Sequence, residues 1–437
     1  MLVTMIVGLL ALTVSAVSPL FFDTNDAGLP PADVPVIKPW KVVPLDPAYG
    51  GQWVLAADLN ADGKVEFLAC ENHNVGDVHN TSTAVAQDLD GTVLWRWGDP
   101  EIGRKEWYHD VACQIHDWDG DGKPEVILAT KGAIVALDGR TGQEKRRIRI
   151  PDEATDCIAF ADLKGRDRPT DILVKDRYHN IYAYDYSGKL LWHVVDPGGC
   201  QTAHQPRPID LDGDGRDEIA AGYAMLNADG SVRWIFQSPT IDLKRGHLDC
   251  IRLLRRSDTL EDVRLVLTLC GANGIAMVDG NGKTIWKRAG SHFESIDIGP
   301  VFTERPGPQI LVDIDHQPFG KGPLLLMDEN GTLLGRINTD YARHHDLLDW
   351  TGDGLDEILN AHSGAIYDNK GRRIATLTAP PAANKGERSL LVGDFTGDGV
   401  PDVALVTTTA VYIFKNEKGV KPAHRVALGT EFNFTLY

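Results

Sequence analysis

The feature that most constrains this chain is an acidic loop that recurs along its 437 residues. The segments "DLNADGKVEFLAC" from Asp58, "DWDGDGKPEVILAT" from Asp117, "DLDGDGRDEIAAG" from Asp210, "DWTGDGLDEILNA" from Asp349 and "DFTGDGVPDVALV" from Asp394 align residue for residue. A sixth copy, "DLKGRDRPTDILV" from Asp162, has lost most of its acids, and two further units are traced by the apolar runs "VRLVLTLCG" and "PQILVDID". The units begin near residues 53, 109, 155, 204, 247, 292, 345 and 388. A second signal follows in several of them: "DGTVLW", "SGKLLW", "DGSVRW" and "NGKTIW" place a turn glycine four residues before a tryptophan. Weaker versions are "TGQEKR", "NGTLLG" and "KGRRIA". Short β runs bounded by Asp-Gly and Asn-Gly turns read as hairpins. Four-stranded units at this period stack around a ring, because no unit can bury its own apolar faces. The expectation is an all-β chain, a single β-propeller of four-stranded blades, eight in number, with seven as the alternative because the fifth and sixth units diverge. Residues 49–437 form the propeller, and residues 19–48 precede it, with Val36–Pro47 a candidate strand for closing the ring.

The loops offer oxygen atoms at alternate positions of a glycine-bearing turn, the pattern that suits calcium with its six to eight hard oxygen ligands. Asp117, Asp119, Asp121 and Glu125 form one set, and Asp210, Asp212, Asp214 and Glu218 repeat it. Asp58, Asn60, Asp62 and Glu66 differ by one amide. Asp349, Asp353 and Glu357, like Asp394, Asp398 and Asp402, leave a threonine at the third position. About five structural Ca²⁺ ions are expected. In the copy at Asp162, Lys164 and Arg166 stand where ligands belong, so built-in cations replace the ion there. The formal charge of −18 argues against nucleic acid as a partner. The acidic loop with its following apolar strand resembles the FG-GAP or integrin-α type of calcium-binding propeller repeat, over roughly residues 53 to 428.

Residues 1–18 are apolar with small residues at their end, the length of a signal-peptide core and short for a membrane span. The chain is expected to be an exported monomer, secreted or periplasmic, with an uncleaved N-terminal anchor as the alternative. Six cysteines suit either disulfides or buried thiols, and Cys113, Cys157 and Cys250 take equivalent places in their units.

The acidic loop follows the first strand of each blade, so these loops share one face and the starts of first strands lie on the other. His109, His204, His247, His292 and His345 stand at such starts. The loop between second and third strands returns to the same face with His73, His79, Lys131, Arg177, Tyr178, His179, Tyr223, His316, Lys321 and His362. With His344, eleven of the fourteen histidines gather there. The expected result is a cationic, hydrogen-bonding funnel for an anionic or polyhydroxylated ligand.

Such a funnel suits elimination from a uronic acid, which needs a neutralised carboxylate, a base for the C5 proton and an acid for the leaving oxygen. Histidine serves as base or neutraliser, and a tyrosine between cations can become acidic enough to take part. The arrangement resembles the propeller polysaccharide lyases, which include ulvan lyases and, more widely, rhamnogalacturonan lyases. The resemblance implies a His/Tyr elimination site acting on an acidic polysaccharide. By position, His109 and Tyr178 take the catalytic roles, with His204 assisting and Tyr223 as the alternative tyrosine. His73, Lys131, Arg177, His179, His247, His292 and His345 are candidates for holding substrate. Three rivals stay open: a glycoside hydrolase using paired acids among Asp110, Asp156, Asp249, Glu294 and Asp315, a histidine-bound transition metal, and a non-catalytic glycan-binding or adhesion propeller.

Overall fold

The computed structural model describes residues 21–28, 30–51, 53–75, 78–102, 112–237, 246–305, 307–380 and 388–422. They form eight sheets, one for each four-stranded antiparallel blade, in sequence order round a closed ring, so the eight-blade reading holds and the seven-blade one does not. The inner strands of blades 1 to 8 are Trp53–Ala57, Cys113–His116, Cys157–Ala161, Thr202–Ile209, Leu248–Arg255, Phe293–Gly299, His345–Leu348 and Ser389–Gly393. Middle strands such as Glu125–Thr130 and Asp171–Lys175 are buried on both faces because each blade is packed between two others. Outer strands such as Glu144–Arg149 alternate toward solvent. That burial pattern explains why the second strand of each unit reads as a continuous apolar run. Among the described residues the only helical element is the turn Pro197–Gly199. All six cysteines are free thiols.

The Gly-x-x-x-Trp signal has a direct structural cause. Each such tryptophan sits on an outer strand and donates its indole N–H to a turn carbonyl of the next blade. Trp95 reaches Gly139 at 2.8 Å, Trp192 reaches Ala228 at 3.0 Å, Trp234 reaches Gly280 at 3.0 Å and Trp286 reaches Glu329 at 2.8 Å. The ring of each indole covers a turn glycine of that next blade, at Gly142, Gly230, Gly282 and Gly331. These glycines have φ between +68° and +84°, and a Cβ on any of them would meet the indole. The glycine is therefore required twice, by backbone conformation and by the space that the preceding blade's indole occupies.

Blade 6 lacks its own tryptophan, since "NGTLLG" ends in Gly335. The N-terminal segment supplies the missing ring. Phe22–Asn25 pairs in parallel with Leu333–Thr339, opposing Phe22 to Gly335, and the Phe22 ring lies against both Gly335 and the turn glycine Gly371 of blade 7. The segment continues as Val36–Ile37 along the outer strand of blade 7. Lys41–Pro44 then pairs antiparallel with Ala410–Phe414 as the fourth strand of blade 8, closing the ring.

Phe22→Ala is expected to cost about 1–3 kcal/mol through lost apolar burial and the cavity left behind. Gly335→Trp alone would clash with Phe22 and also destabilise, whereas the two together would restore an in-blade latch. A double-mutant cycle by urea unfolding checks this. A coupling energy near zero would show that Phe22 does not stand in for the tryptophan.

Candidate functional site

The acidic loops of blades 1, 2, 4 and 8 border one cavity of about 2100 Å³ at a mouth of the central channel, with Asp58, Asp117, Asp210 and Asp394 in its lining. In blade 2 the Asp117 carboxylate accepts the Gly120 N–H at 2.8 Å and the Gly122 N–H at 3.2 Å, while Glu125 accepts that of Trp118 at 2.9 Å. Oxygen atoms of Asp117, Asp119 and Glu125 converge within 4.8 Å, as do those of Asp210, Asp212 and Glu218. A cation from the outer strand already reaches both sets. Lys145 lies 2.6 Å from Asp119 and 2.5 Å from Glu125, and Arg233 lies 2.9 Å from Asp212 and 2.8 Å from Glu218. In blade 8, Lys415 lies 3.0 Å from Asp398, and in the decayed blade 3 loop Lys164 lies 3.3 Å from Asp171.

Blades 1 and 7 differ. Among the described residues no lysine or arginine pairs with Asp58, Asp62 and Glu66, nor with Asp349, Asp353 and Glu357. Burial, reinforced by Asp62 and Asp58, pushes the Glu66 carboxyl up to about 7, and the Asn60 Oδ1 atom is buried without a hydrogen-bond partner. Burial, with Asp353 adding, likewise pushes Glu357 up to about 7. These are hard oxygen donors in surroundings that favour an added positive charge, and they fit calcium.

The other end of the channel is built by side chains reaching between neighbouring blades. Tyr178, in the loop after the second strand of blade 3, sets its ring 4.9 Å from that of His247 and 6.0 Å from that of His204. The Arg177 guanidinium lies 5.1 Å from the same phenol ring. Beneath them, Asp156 is held by Lys175 at 2.5 Å, His79 at 2.7 Å and Arg177 at 3.5 Å. His204 and His247 approach to 3.0 Å between Nε2 atoms, and His292 lies 2.8 Å from Glu294 and stacks on His316. Arg343 pairs with Glu294 and lies 3.6 Å from Asp315.

The structure thus brings Tyr178, Arg177, His204, His247 and His292 together. His109 lies outside the described residues. His179 turns outward, exposed and paired with Asp196 at 2.7 Å. Lys131 is exposed, and the His73 carbonyl accepts a hydrogen bond from Asn80 at 3.3 Å. Tyr223 is a correction: it is wholly buried, its hydroxyl donates to the Cys270 carbonyl, and burial pushes that hydroxyl far above the usual tyrosine range. It cannot present a base or an acid to a polymer. His345 is a second correction. Its side chain is enclosed between Asp297 at 2.6 Å and Asp313 at 3.4 Å, so it neutralises the wall and holds no substrate.

The purely cationic funnel also needs revision, because its buried cations Lys175 and Arg343 each sit on a buried carboxylate. Asp156 and Glu294 are committed to such pairs, which leaves them poorly placed as the acid and base of a hydrolase. The residues that sequence reasoning missed are Lys175 and Arg343. Lys175 ends the apolar strand Asp171–Lys175, and a fully buried lysine closing an apolar run is a signal for an enclosed ion pair.

No protein-family model matches the chain. Over 264 residues it is 24% identical to the rhamnogalacturonan exolyase YesX of Bacillus subtilis, covering 46% of this chain and 43% of that protein. It is also 24% identical over 267 residues to the rhamnogalacturonan endolyase YesW of the same organism, again covering 43% of the relative. The chain therefore spans less than half the length of the curated relatives it matches. Among solved structures, YesW superposes with a TM-score of 0.64 at 20% identity, over 90% of this chain and 78% of that one. The Vibrio cholerae biofilm matrix protein Bap1 superposes with a TM-score of 0.59 at 14% identity, over 95% and 94%. At these identities the structural likeness establishes the propeller fold.

The His345 environment gives a pH signature. Burial opposes its charge, but Asp297 and Asp313 outweigh burial and push it up to about 10. An unfolded histidine releases its proton near pH 6.5. The stability it contributes is complete below about pH 6.5 and is lost as pH rises toward 10. Asp346, held above the usual carboxylate range by burial and by Asp297, adds to the same decline. Urea unfolding from pH 6 to 10 should show falling stability. His345→Ala should cost about 3–5 kcal/mol at pH 6 by stranding two carboxylates, and should flatten the slope.

Proposed function

We propose that the chain is a polysaccharide lyase that cleaves a uronic-acid-containing polysaccharide by β-elimination at the histidine-lined end of the channel. The observation that carries this reading is Tyr178 held between the Arg177 guanidinium and the imidazoles of His204 and His247. Cations beside a phenol favour its ionised form, which is what a tyrosine needs to exchange protons with substrate near neutral pH. In the reaction a base takes the C5 proton, the C4–O bond breaks, a C4–C5 double bond forms and the leaving oxygen gains a proton. Arg177 and the imidazoles neutralise the carboxylate that makes the C5 proton acidic. The two curated relatives, both rhamnogalacturonan lyases by name, support an acidic polysaccharide as the substrate class. Such polymers are met outside the cytosol, in keeping with the apolar stretch at residues 1–18.

In the same reading, the acidic loops hold structural calcium. The loops of blades 1 and 7 accept it directly, whereas those of blades 2, 4 and 8 exchange Lys145, Arg233 or Lys415 for the ion.

Activity is tested by ultraviolet absorbance of the unsaturated product on a panel of acidic polysaccharides. Tyr178→Phe should lower kcat by about 10²–10⁴-fold, and His193→Ala, on an outer strand, should not change it. Polymer binding without absorbance would mean a binding propeller, and new reducing ends without absorbance would mean a hydrolase. Calcium is tested by thermal unfolding with and without chelator. Each filled site should add about 2.7 kcal/mol at calcium a hundredfold above its Kd. Glu66→Gln and Glu357→Gln should each remove one bound ion by elemental analysis, and an unchanged midpoint with no bound calcium would make these loops metal-free turns.

A further inference from the structure

Where blades 4, 5 and 6 meet, nitrogen and oxygen donors converge from neighbouring inner strands. His204 lies within Thr202–Ile209, Asp249 within Leu248–Arg255 with His247 just ahead of that strand, and His292 just ahead of Phe293–Gly299. The Nε2 atoms of His204 and His247 are 3.0 Å apart, with the ring planes at 83°. Asp249 Oδ1 lies 3.3 Å from His247 Nε2 and 3.6 Å from His204 Nε2. Its Oδ2 lies 3.6 Å from His292 Nε2. The donor atoms of His204, His247 and Asp249 all fall within 4.8 Å of one another, and those of Asp249, Cys270 and His292 do the same.

Two features ask for a bound cation. Asp249 is only 2% exposed, and neither of its carboxylate oxygens has a hydrogen-bond partner. A buried carboxylate in that state is costly unless a positive charge stands against it. Among the described residues, the cations of this end of the channel are engaged elsewhere, Arg343 with Glu294 and Asp315, and Lys175 with Asp156. The second feature is spacing. Two imidazole nitrogens facing each other share at most one proton. Two ligands bound at about 2.0–2.1 Å to one tetrahedral ion lie about 3.3 Å apart, close to all three separations within the His204–His247–Asp249 set.

We propose that His204, His247 and Asp249 bind one divalent ion of the zinc class. Imidazole nitrogen with a single carboxylate suits such an ion, whereas calcium takes oxygen donors. His292, already 2.8 Å from Glu294, flanks the site, and the Cys270 thiol lies on the His292 side of Asp249. Three protein ligands leave a coordination position open. The Tyr178 ring, packed against both imidazoles, places the ion beside the residue on which the proposed elimination turns. An ion there would take over the neutralising of a uronate carboxylate and would make His204 and His247 ligands, removing them from proton transfer. That role rests on the lyase reading, but the binding itself does not.

The test uses the full chain, stripped of metal and supplied with excess Ca²⁺ so that the acidic loops are satisfied. Zinc titrated calorimetrically should bind at one equivalent, and Co²⁺ should develop the intense visible bands of a low-coordinate nitrogen and oxygen site. His247→Ala and Asp249→Asn should each weaken zinc binding by at least a hundredfold, while His193→Ala leaves it unchanged. A Co²⁺ spectrum on the wild-type chain that stays that of the hydrated ion would overturn the proposal without reliance on any variant. So would zinc binding that survives both substitutions. Elimination catalysed by a chain that binds no zinc would remove the site and keep the lyase. Zinc binding at one equivalent with no elimination on any polymer would support the site and count against the lyase.

Discussion

A ring of blades is held only by contacts between neighbours, so everything on its two ends depends on the joint where the chain closes. Here that joint is the pairing of Lys41–Pro44 with Ala410–Phe414, which puts residues from opposite ends of the chain into one sheet. The pairing fixes the circumference, and the circumference fixes how near the inner strands of successive blades approach. His204, His247, Asp249 and His292 meet because the inner strands of blades 4, 5 and 6 are held at that spacing. The N-terminal segment reinforces the closing side of the ring by lying along blades 6, 7 and 8 in turn. Its Phe22 ring also fills the gap that Gly335 leaves in the series of tryptophan latches.

The two ends of the channel are chemically distinct for a reason that follows from strand direction. A loop between first and second strands is glycine-bearing and rich in carboxylates in most blades, so one mouth gathers hard oxygen donors. The opposite end receives the starts of first strands and the tighter returns between second and third strands. There the side chains are imidazoles, guanidiniums and a phenol over buried acids. His116, at the end of its strand, shows the sorting clearly. It lines the cavity on the acidic side and bonds to the Pro169 carbonyl at 2.7 Å, away from the other histidines.

The fold was legible because its signals are local and repeated. An Asp-Gly loop, an apolar run and a Gly-x-x-x-Trp turn each demand one backbone conformation and recur often enough to count. The candidate site was legible as far as which end of the channel a residue occupies. It was not legible as to depth, because depth is decided by partners tens of residues away. Tyr223 and Tyr178 sit in equivalent loops, yet one is sealed beneath Cys270 and the other lies against two imidazoles. His345 and His247 both begin inner strands, yet only His345 meets two carboxylates from the preceding blade. The lysine and arginine that enter the acidic loops come from outer strands about twenty residues further on, where the sequence shows only an ordinary alternating strand.

The wall of the histidine-lined end is nearly complete in charge, and where it is incomplete is informative. Asp156 faces Lys175, Glu294 faces Arg343, and Asp297 and Asp313 face His345. Each pair joins residues that packing alone would place together at a cost, so each cation is best understood as part of the scaffold. Asp249 is the exception, with three imidazoles beside it and, among the described residues, no lysine or arginine paired with it. An imidazole can supply positive charge only by taking up a proton, and His204 and His247 cannot both do so while their Nε2 atoms stand 3.0 Å apart. The unmet demand for charge therefore lies beside Tyr178. A ligand that answers it, whether an ion or a substrate group brought in with one, is drawn to the same side of the channel that carries the Tyr178 phenol and the Arg177 guanidinium. Position in the ring and electrostatics select that one corner of the channel independently.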